Sequence, residues 1–350
     1  MGGVEAMSDG SAAAPTPWAG VPVLVTGATG MVGSWLTRRL VDADATVAAL
    51  VLDDDPRSEL YRSGTVRSVS VVSGCLEDLA TLERAIVSHS IDTVFHLGAQ
   101  TIVAAARRSP LATFETNVRG TWNVLEACRR HSDLVRRVVV ASSDKAYGEA
   151  AELPYREDMP LNGRQPYEAS KACADLATRS FAETYGLPVA TTRFANIYGG
   201  GDLNWSRLVP GTIRSLLRGE RPVIRSDGTF RRDYLFVDDA VDAYLQIADG
   251  LLERDLSGEV FNFSDEVPLA VMEMFEAVCE AAGFRDVEPL ILDDAPGEIR
   301  NQHLSARKAA SVLGWSPRVG LNDGLRRTVA WYRDYFGAGS RARPSRAGVT

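Results

Sequence analysis

The chain has 350 residues with 45% hydrophobic and 24% charged side chains, a composition typical of globular proteins that bury a sizeable core. Its formal net charge of −8 argues against a general nucleic-acid or membrane-surface binder, although a local arginine cluster can still hold a phosphate-bearing ligand. The four cysteines show neither CxxC nor metal-ligand spacing, and no apolar run approaches the roughly 20 residues of a membrane span, so we expect a cytoplasmic protein with reduced thiols and no metal, membrane or nucleic-acid partner.

Apolar runs alternate with helix-like stretches along residues 20–200. The strand-like runs are 21–25, 46–52, 69–72, 93–97, 138–141 and 189–194. The helix-like stretches are 35–40, 79–88, 116–130 and 168–185. Apolar strands alternating with amphipathic helices indicate a parallel sheet covered on both faces, so we predict an α/β fold with a doubly wound, Rossmann-like sheet.

The pattern loosens after residue 200. Short apolar runs at 222–224 and 260–263 mix with helix-like stretches near 205–218, 238–252 and 270–282. They indicate a smaller substrate-binding lobe over residues 201–337, with segments that could return to the sheet. Residues 1–19 and 338–350 are predicted to be disordered tails. A ligand is expected at the carboxyl ends of the strands, in the cleft between the two parts.

A glycine-rich turn follows the first predicted strand and opens the first helix. It reads Gly27-Ala28-Thr29-Gly30-Met31-Val32-Gly33. Such glycines allow a tight turn and close approach of the backbone to a pyrophosphate, and the helix N-terminus offers free N–H groups. The turn alone is a weak indication, but its place between a strand and a helix favours a dinucleotide site.

An acid at the end of the second strand would bind the adenosine ribose and favours NAD over NADP. Asp53 lies twenty residues after Gly33, but Asp54 and Asp55 follow it, so the choice among the three is open. A solvated acidic turn is the alternative. No arginine ends this strand to receive a 2′-phosphate, and Arg57 lies a few residues beyond.

The segment from Tyr167 to Lys171 places a phenol and an ammonium on one face of a helix. A phenol with a pKa of about 10 is a poor base near neutrality, and a nearby ammonium lowers that pKa. Tyr167 would then take a proton from a sugar hydroxyl as hydride leaves. A bare YxxxK is common by chance, and an ordinary surface pair is the alternative.

Ser143, Asp144 and Lys145 follow the strand-like run that ends at residue 141, where ionisable side chains are in place for chemistry. The order of glycine turn, strand ending in serine and YxxxK resembles the extended short-chain dehydrogenase/reductase family of NAD-dependent epimerases and dehydratases. Further similar segments are HLGAQ at 96–100, TNVRGT at 116–121, RFANIYG at 193–199 and RDYLFVDD at 232–239. The resemblance spans roughly residues 21–335.

The resemblance implies binding residues for NAD and for a nucleotide-diphosphate sugar. Those for NAD are Gly27, Thr29, Gly30, Met31, Gly33, Asp53, Leu76, Leu97, Ala99, Asn117, Tyr167 and Lys171. Those for the sugar and its diphosphate are Gln100, Asn196, Arg207, Arg232 and Arg300, although any of the arginines could be a surface charge. Cys75 departs from the family, which usually has an adenine-contacting Asp there, and His96 is expected to be structural.

The pair Asp144-Lys145 resembles the CDP-glucose 4,6-dehydratases, whereas simple epimerases usually lack an acid–base pair there. GSWL at 33–36, LD at 52–53 and GGGD through RLVP at 199–210 are also similar to that branch, but 232–239 follows the general family. The alternative activity is that of a nucleotide-sugar 4-epimerase, and the nucleotide could be GDP, UDP or dTDP instead of CDP. Asp144 and Lys145 could also form a merely structural ion pair. A non-catalytic dinucleotide sensor is disfavoured by the intact Ser143, Tyr167 and Lys171.

The resemblance also implies a mechanism and a homodimer. Tyr167, assisted by Lys171 and Ser143, would remove the 4-hydroxyl proton as hydride passes from C4 to NAD. Lys145, as a neutral amine, would take the C5 proton, and Asp144, as a carboxylic acid, would protonate the departing 6-hydroxyl before hydride returns to C6. Two copies would pair through the apolar faces of 116–130 and 168–185.

Overall fold

A seven-stranded parallel sheet forms the centre of the molecule. The computed structural model describes residues 16–294 and 297–341, with side chains described up to residue 337. The strands in chain order are β1 (Pro22–Thr26), β2 (Thr46–Val51), β3 (Ser70–Ser73), β4 (Thr93–His96), β5 (Arg137–Ala141), β6 (Val189–Phe194), β7 (Asn196–Tyr198), β8 (Val223–Ile224), β9 (Arg231–Arg232), β10 (Tyr234–Phe236), β11 (Val260–Phe263), β12 (Leu269–Ala270), β13 (Leu290–Ile291) and β14 (Asn301–Gln302). The order across the large sheet is β11-β6-β5-β4-β1-β2-β3, with every pairing parallel.

Helices cover both faces of this sheet. In chain order they are α1 (Met31–Asp42), α2 (Glu59–Arg62), α3 (Leu79–Ser88), α4 (Val103–Arg108), α5 (Pro110–Phe114), α6 (Gly120–Arg130), α7 (Pro166–Tyr185), α8 (Leu208–Arg218), α9 (Val237–Glu253), α10 (Val271–Ala281) and α11 (Leu321–Arg341). Within the described ranges, no helix combines the length and apolar composition that a bilayer crossing needs.

The alternation of side chains along each strand builds a separate core on each face. Val23 and Val25 of β1 pack into the core beneath α1 and α9, whereas Leu24 between them packs into the core beneath α3 and α6. Strands buried on both faces must be apolar at nearly every position, which is why they appear as continuous runs in the sequence. The predicted doubly wound α/β fold is confirmed.

The second half of the chain contributes directly to the large sheet. β11 pairs with β6 along residues 260–263, and α9 packs against β5 and β6. The remaining short strands form small sheets, in which β10 pairs with β7, β9 lies between β12 and β14, and β13 pairs with β8. These sheets surround the carboxyl end of β6 and form the wall of the site described below.

The predicted tails differ from the structure at both ends. Residues 1–15 lie outside the described residues, but Trp18 is buried, with its ring centroid 5.9 Å from that of Phe95 and the Arg137 guanidinium 4.4 Å above it. A large aromatic ring held in this way belongs to the core, so the predicted boundary at residue 19 is wrong. At the other end α11 continues to Arg341, past the predicted boundary at 338, and residues 342–350 lie outside the described residues.

The turn between β1 and α1 is packed so tightly that no side chain fits at two of its glycines, Gly27 and Gly33. Gly27 has a φ of +72°, and a Cβ there would lie 2.7 Å from the Gly98 nitrogen. A Cβ on Gly33 would lie 2.1 Å from the Gly27 carbonyl oxygen. Gly30, at the N-cap of α1, has an ordinary φ of −72°. The packing therefore requires glycine at 27 and 33 and brings the α1 N-terminus against the loop after β4.

We expect Gly33→Ala to lower the free energy of unfolding by about 2 kcal/mol or more, because the new methyl group displaces the turn. Urea denaturation followed by circular dichroism measures the change. Gly337→Ala is the matched control, since a Cβ at that position in α11 meets nothing within 4 Å. Equal stability of the Gly33 variant and the wild type would contradict the expected conflict.

Candidate active site

A cavity of about 700 Å³ opens at the carboxyl ends of the central strands. Leu97, Ala141 and Phe194, at or directly after the ends of β4, β5 and β6, form its floor. The opposite wall comes from segments after residue 200, including the start of α8 and the strands β8 and β9. The cleft thus lies where parallel α/β sheets bind ligands.

The chain leaves β5 through a short 3₁₀ turn that presents three polar side chains. The Ser143 hydroxyl donates a hydrogen bond to Asp144 Oδ1 at 3.0 Å and accepts one from the Lys145 N–H at 3.2 Å. Lys145 Nζ lies 3.6 Å from Asp144 Oδ1, which is ion-pair contact without hydrogen-bond distance. Asp144 is only 2% exposed, and among the described residues nothing donates to its Oδ2. A buried carboxyl with an unmatched oxygen is costly, so this group is suited to meet a hydrogen-bond donor on a ligand.

α7 brings the second pair of predicted catalytic residues to the same cavity. Its start is defined by Pro166 at the first turn and by a capping box between Gln165 and Glu168. Tyr167 and Lys171 are both buried and line the cavity. Lys171 Nζ donates to the Ala141 carbonyl at 2.8 Å, and burial lowers the pKa of Lys171 to about 8.

The pKa of Tyr167 departs from the sequence prediction. Burial raises the pKa of the phenol, while the neighbouring Ser143 hydroxyl and the charge of Arg207 act in the opposite direction. The expected lowering by Lys171 does not appear in the protein alone, where the cost of burying a phenolate outweighs the effects of Ser143 and Arg207.

His96 is a structural residue, as its apolar surroundings suggested. Its Nδ1 lies 2.8 Å from the Thr26 hydroxyl and its Nε2 lies 3.0 Å from the Thr121 hydroxyl. Burial, with a smaller contribution from Lys171, lowers the pKa of His96 to about 3, so the ring is neutral near pH 7. Both ring nitrogens are engaged away from the cavity.

The residues at the start of the chain fit a dinucleotide. The glycine turn leaves no room for a Cβ, and Thr29, Gly30 and Met31 lie at the N-terminus of α1. Asp53 is exposed after β2, and among the described residues none donates to its carboxylate. By contrast, Asp54 accepts from Tyr61 and Asp55 is paired with Arg57 at 2.9 Å. This pairing leaves Asp53 as the carboxylate able to meet a ribose and withdraws Arg57 from a 2′-phosphate.

Asn117, predicted to contact the cofactor, holds the loop after β4 against α7. Its Nδ2 donates to the Gln100 carbonyl at 3.0 Å and to the Ser170 hydroxyl at 2.9 Å, and its Oδ1 accepts from the Gln100 N–H at 2.7 Å. These bonds join the loop after β4 to α7. The Gln100 side chain accepts from the Ile102 N–H at 3.0 Å and is not part of the cavity lining, and the contacts of Asn117 with the cofactor and of Gln100 with a hexose stay predictions.

Leu76 and Ala99 flank the cavity and do not line it, whereas Leu97 does. The buried Leu76 side chain packs close to Gly98 and Gly120. These contacts fix the loops after β3 and β4 relative to each other. They make Leu76 part of the wall that supports the dinucleotide turn.

The predicted phosphate-binding arginines separate into two groups. Arg207 and Arg232 line the cavity together with Asn196; Arg207 is paired with Asp202 at 2.9 Å. Arg232 is buried and donates to the Arg231 and Arg300 carbonyls and to Glu298 at 2.7–3.1 Å. The Arg300 side chain is exposed, pairs with Asp227 at 2.9 Å and does not line the cavity, so its assignment to the diphosphate stays a prediction that this position does not support.

Three arginines that line the cavity were missed. They are Arg107 and Arg108 of α4 and Arg225 after β8. No motif marks them, because each lies in a short element whose place in the fold is set by distant contacts. The rarity of lysine in this chain also points to the site. Of the 38 Lys and Arg residues only Lys145, Lys171 and Lys308 are lysines, and the first two line the cavity.

Proteins of known activity or structure resemble this chain in sequence and in fold over most of its length. A model of the NAD dependent epimerase/dehydratase family matches residues 23–263. A CDP-glucose 4,6-dehydratase of Salmonella typhimurium is 31% identical over 335 residues, covering 91% of this chain and 92% of the relative. A UDP-glucose 4-epimerase of Mycolicibacterium smegmatis is 32% identical over 315 residues, covering 89% of this chain and 98% of the relative. The structure of a dTDP-glucose 4,6-dehydratase from Streptomyces venezuelae with NAD bound has a TM-score of 0.81 at 28% identity, covering 91% and 98% of the two chains.

These relatives carry out more than one reaction on more than one nucleotide sugar, so the similarity identifies the family and not the substrate. The family predicted from the motifs is confirmed, and its members depend on NAD, the predicted cofactor. With its glycine turn, YxxxK helix and matching length, the chain belongs to the NAD-dependent epimerase/dehydratase family.

Proposed function

We propose that the protein is a nucleotide-sugar 4,6-dehydratase that converts a nucleotide-diphosphate hexose of the CDP-glucose type into its 4-keto-6-deoxy form. The observation that carries the proposal is the buried Asp144, which lines the same cavity as Lys145, Tyr167 and Lys171 and whose Oδ2 has no hydrogen-bond partner among the described residues. An enzyme that only oxidises and reduces C4 has no use for this second acid–base pair. The preference for CDP rests on the motifs shared with that branch and on the Salmonella relative.

The charge of the cavity supports an anionic ligand although the whole chain carries −8. The cations lining the cavity are Arg107, Arg108, Lys145, Lys171, Arg207, Arg225 and Arg232. The acids lining it are Asp144, Glu168, Asp202, Asp294 and Glu298. This local excess of cations, with bidentate guanidinium groups among them, is suited to a diphosphate. We assign that role to Arg207, Arg232 and Arg225, with Asn196 beside them.

The first half of the reaction is oxidation at C4. Tyr167, favoured as a phenolate by Lys171 and Arg207, removes the 4-hydroxyl proton. NAD, when bound against the glycine turn with Asp53 at its ribose, supplies a hydride acceptor that later returns the hydride. The C4 ketone makes the neighbouring C5 proton acidic.

The second half is loss of water. Lys145 removes the C5 proton while Asp144 protonates the 6-hydroxyl, which leaves as water. Hydride then adds to C6 and Lys145 returns a proton to C5. The proton held by Tyr167 replaces the one that Asp144 has given up, so the protein ends unchanged.

A nucleotide-sugar 4-epimerase is the second candidate, favoured by the similarity to the Mycolicibacterium epimerase. It shares the oxidation at C4 but returns hydride to the other face of C4. Asp144 and Lys145 would then be a structural pair, which their 3.6 Å contact also permits.

Deuterium at C4 of the substrate distinguishes the two reactions. We expect CDP-[4-²H]glucose, in a panel with the dTDP, UDP and GDP forms, to lose one water and carry deuterium at C6, measured by mass spectrometry and NMR. Deuterium retained at C4 without loss of water would identify an epimerase. No change with any sugar in the panel would exclude both.

We expect Lys145→Arg to reduce water loss at least about 100-fold, because a guanidinium keeps the positive charge but cannot act as a base. In D₂O the wild type places solvent deuterium at C5, and the variant loses this exchange. Lys308→Arg is the matched control, since Lys308 is paired with Glu259 outside the cavity. Undiminished C5 exchange in the Lys145 variant would remove the assigned role.

We also propose that two copies of the chain pair through α5, α6 and α7. These helices contact one another and expose large apolar side chains, namely Leu111, Phe114, Trp122 and Leu176. An exposed apolar patch of this kind is typical of a protein interface.

Leu176→Asp is expected to convert a dimer into a monomer, because it places a charge in an apolar interface. Sedimentation velocity measures the change. Val87→Asp, at an equally exposed apolar position on α3, should leave the dimer intact. A dimer that survives the Leu176 change would exclude this face.

A further inference from the structure

Arg193, in the RFANIYG segment, has no part in the steps above, yet it is buried and fully engaged. Its Nε and Nη2 donate to the two carboxylate oxygens of Asp175, each at 3.0 Å. Its Nη1 donates to the Tyr147 hydroxyl at 2.6 Å, and the guanidinium lies 4.6 Å above the Tyr147 ring. Arg193 thus fixes both oxygens of Asp175 in one orientation.

Asp175 lies one helical turn after Lys171. Positions i and i+4 share a face of a helix, so the carboxylate and the ammonium lie on the same side of α7. Asp175 is only 3% exposed, which leaves its charge poorly screened by water. The negative charge of Asp175, fixed in orientation by Arg193, therefore acts on Lys171 from the same face of α7 and opposes the lowering of its pKa.

The same network reaches the turn that carries the proposed acid and base. Tyr147 is the last residue of the turn Asp144–Tyr147, and its hydroxyl donates to Asn262 Oδ1 of β11 at 2.8 Å. Asp175 on α7 is thereby connected through Arg193 on β6 to the Asp144 turn. Movement of Asp175 would break both of its bonds to Arg193, whose guanidinium also holds the Tyr147 hydroxyl.

We propose that Asp175, clamped by Arg193, is a positioning residue that keeps Lys171 in its ammonium form. This inference deepens the proposed function and rests on it, because the ammonium is the form that favours the Tyr167 phenolate. Asp175 touches neither the cavity nor the reacting atoms, and it acts through Lys171.

The need for such a residue follows from the burial of Lys171. Burial lowers the pKa of Lys171 to about 8, and Asp175 acts in the opposite direction. Charged or titratable groups face this region from several elements: His96 from β4, Asp144 and Lys145 from the turn after β5, Arg193 from β6, Arg107 and Arg108 from α4, Arg207 before α8, and Tyr167, Glu168 and Asp175 from α7. His96 is neutral and the arginines add positive charge; of the acids Asp144, Glu168 and Asp175, it is Asp175 whose charge raises the pKa of Lys171.

The three-lysine composition makes a direct test possible. Protein labelled with ¹³Cε-lysine gives three lysine signals, and Lys171→Arg and Lys308→Arg variants assign them. The pH titration of the Lys171 signal is followed in the wild type, in Asp175→Asn, and in Asp175→Glu as the control that keeps the carboxylate. The double variant Asp175→Asn with Arg193→Gln provides a second measurement if the single change leaves a buried arginine that prevents folding.

We expect the Lys171 pKa to fall by about one unit or more in Asp175→Asn, to fall by less in the double variant because the Arg193 charge is also removed, and to stay near the wild-type value in Asp175→Glu. The alkaline limb of the rate–pH profile should move down with it. A merely structural role would instead open the site and raise the Lys171 pKa towards that of an exposed lysine, about 10.4. An unchanged or raised pKa in the Asn variants would overturn the inference.

The titration needs no substrate, so it separates this inference from the proposed function. If the wild type converts a nucleotide sugar but the Lys171 pKa is the same in Asp175→Asn, the role of Asp175 is rejected and the proposed dehydratase activity is not. If the Lys171 pKa falls in Asp175→Asn but the wild type converts no nucleotide sugar, the role of Asp175 in setting the lysine charge is supported and the proposed dehydratase reaction is rejected.

Discussion

The hydrogen bond from Lys171 to the carbonyl of Ala141 is the contact on which the site depends. Ala141 is the last residue of β5, and the chain turns directly from it into Ser143 and Asp144. One strand end therefore supports both the helix with YxxxK and the turn with the acid–base pair. The bond from the buried ammonium therefore links two motifs that lie more than twenty residues apart in the sequence and meet at one edge of the sheet.

Burial gives each ionisable group of the site a different chemical character. It makes His96 a neutral structural ring, lowers the pKa of Lys171 and raises that of Tyr167. Since the phenol and the amine are shifted in opposite directions, the charges around them decide whether the pair can move a proton. Arginine supplies permanent charge in most of the chain, and lysine occurs at two positions in the cavity where a proton can be gained and lost.

Much of the fold was predictable because buried parallel strands and amphipathic helices leave strong periodic patterns. The strands at 189–194 and 260–263 have the predicted bounds, and the helix at 79–88 does as well. The short helices α4 and α5 were missed, since six and five residues around Pro110 carry too little periodicity. Trp18 lies in a segment of tail-like composition, and only its contact with Phe95 reveals it as core.

The candidate site was predictable where chemistry follows a strand or a glycine turn. Tyr167, Lys171, Asp144 and Lys145 reach one cavity for that reason. Arg300 lies outside the cavity lining, because a motif position does not determine where a long exposed side chain points. The role of Asn117 depends on partners 17 and 53 residues away, and the raised pKa of Tyr167 depends on burial that no local pattern reports.

The pairing of β11 with β6 has a consequence for how the chain is made. While only the first 250 or so residues have left the ribosome, β6 is the outermost strand and its hydrogen-bonding groups have no neighbour on one side. An open strand of this kind is a template for unwanted association with another nascent chain. β6 gains its outer neighbour only once Val260–Phe263 has been made, so the large sheet is complete only in a chain that extends at least to this strand.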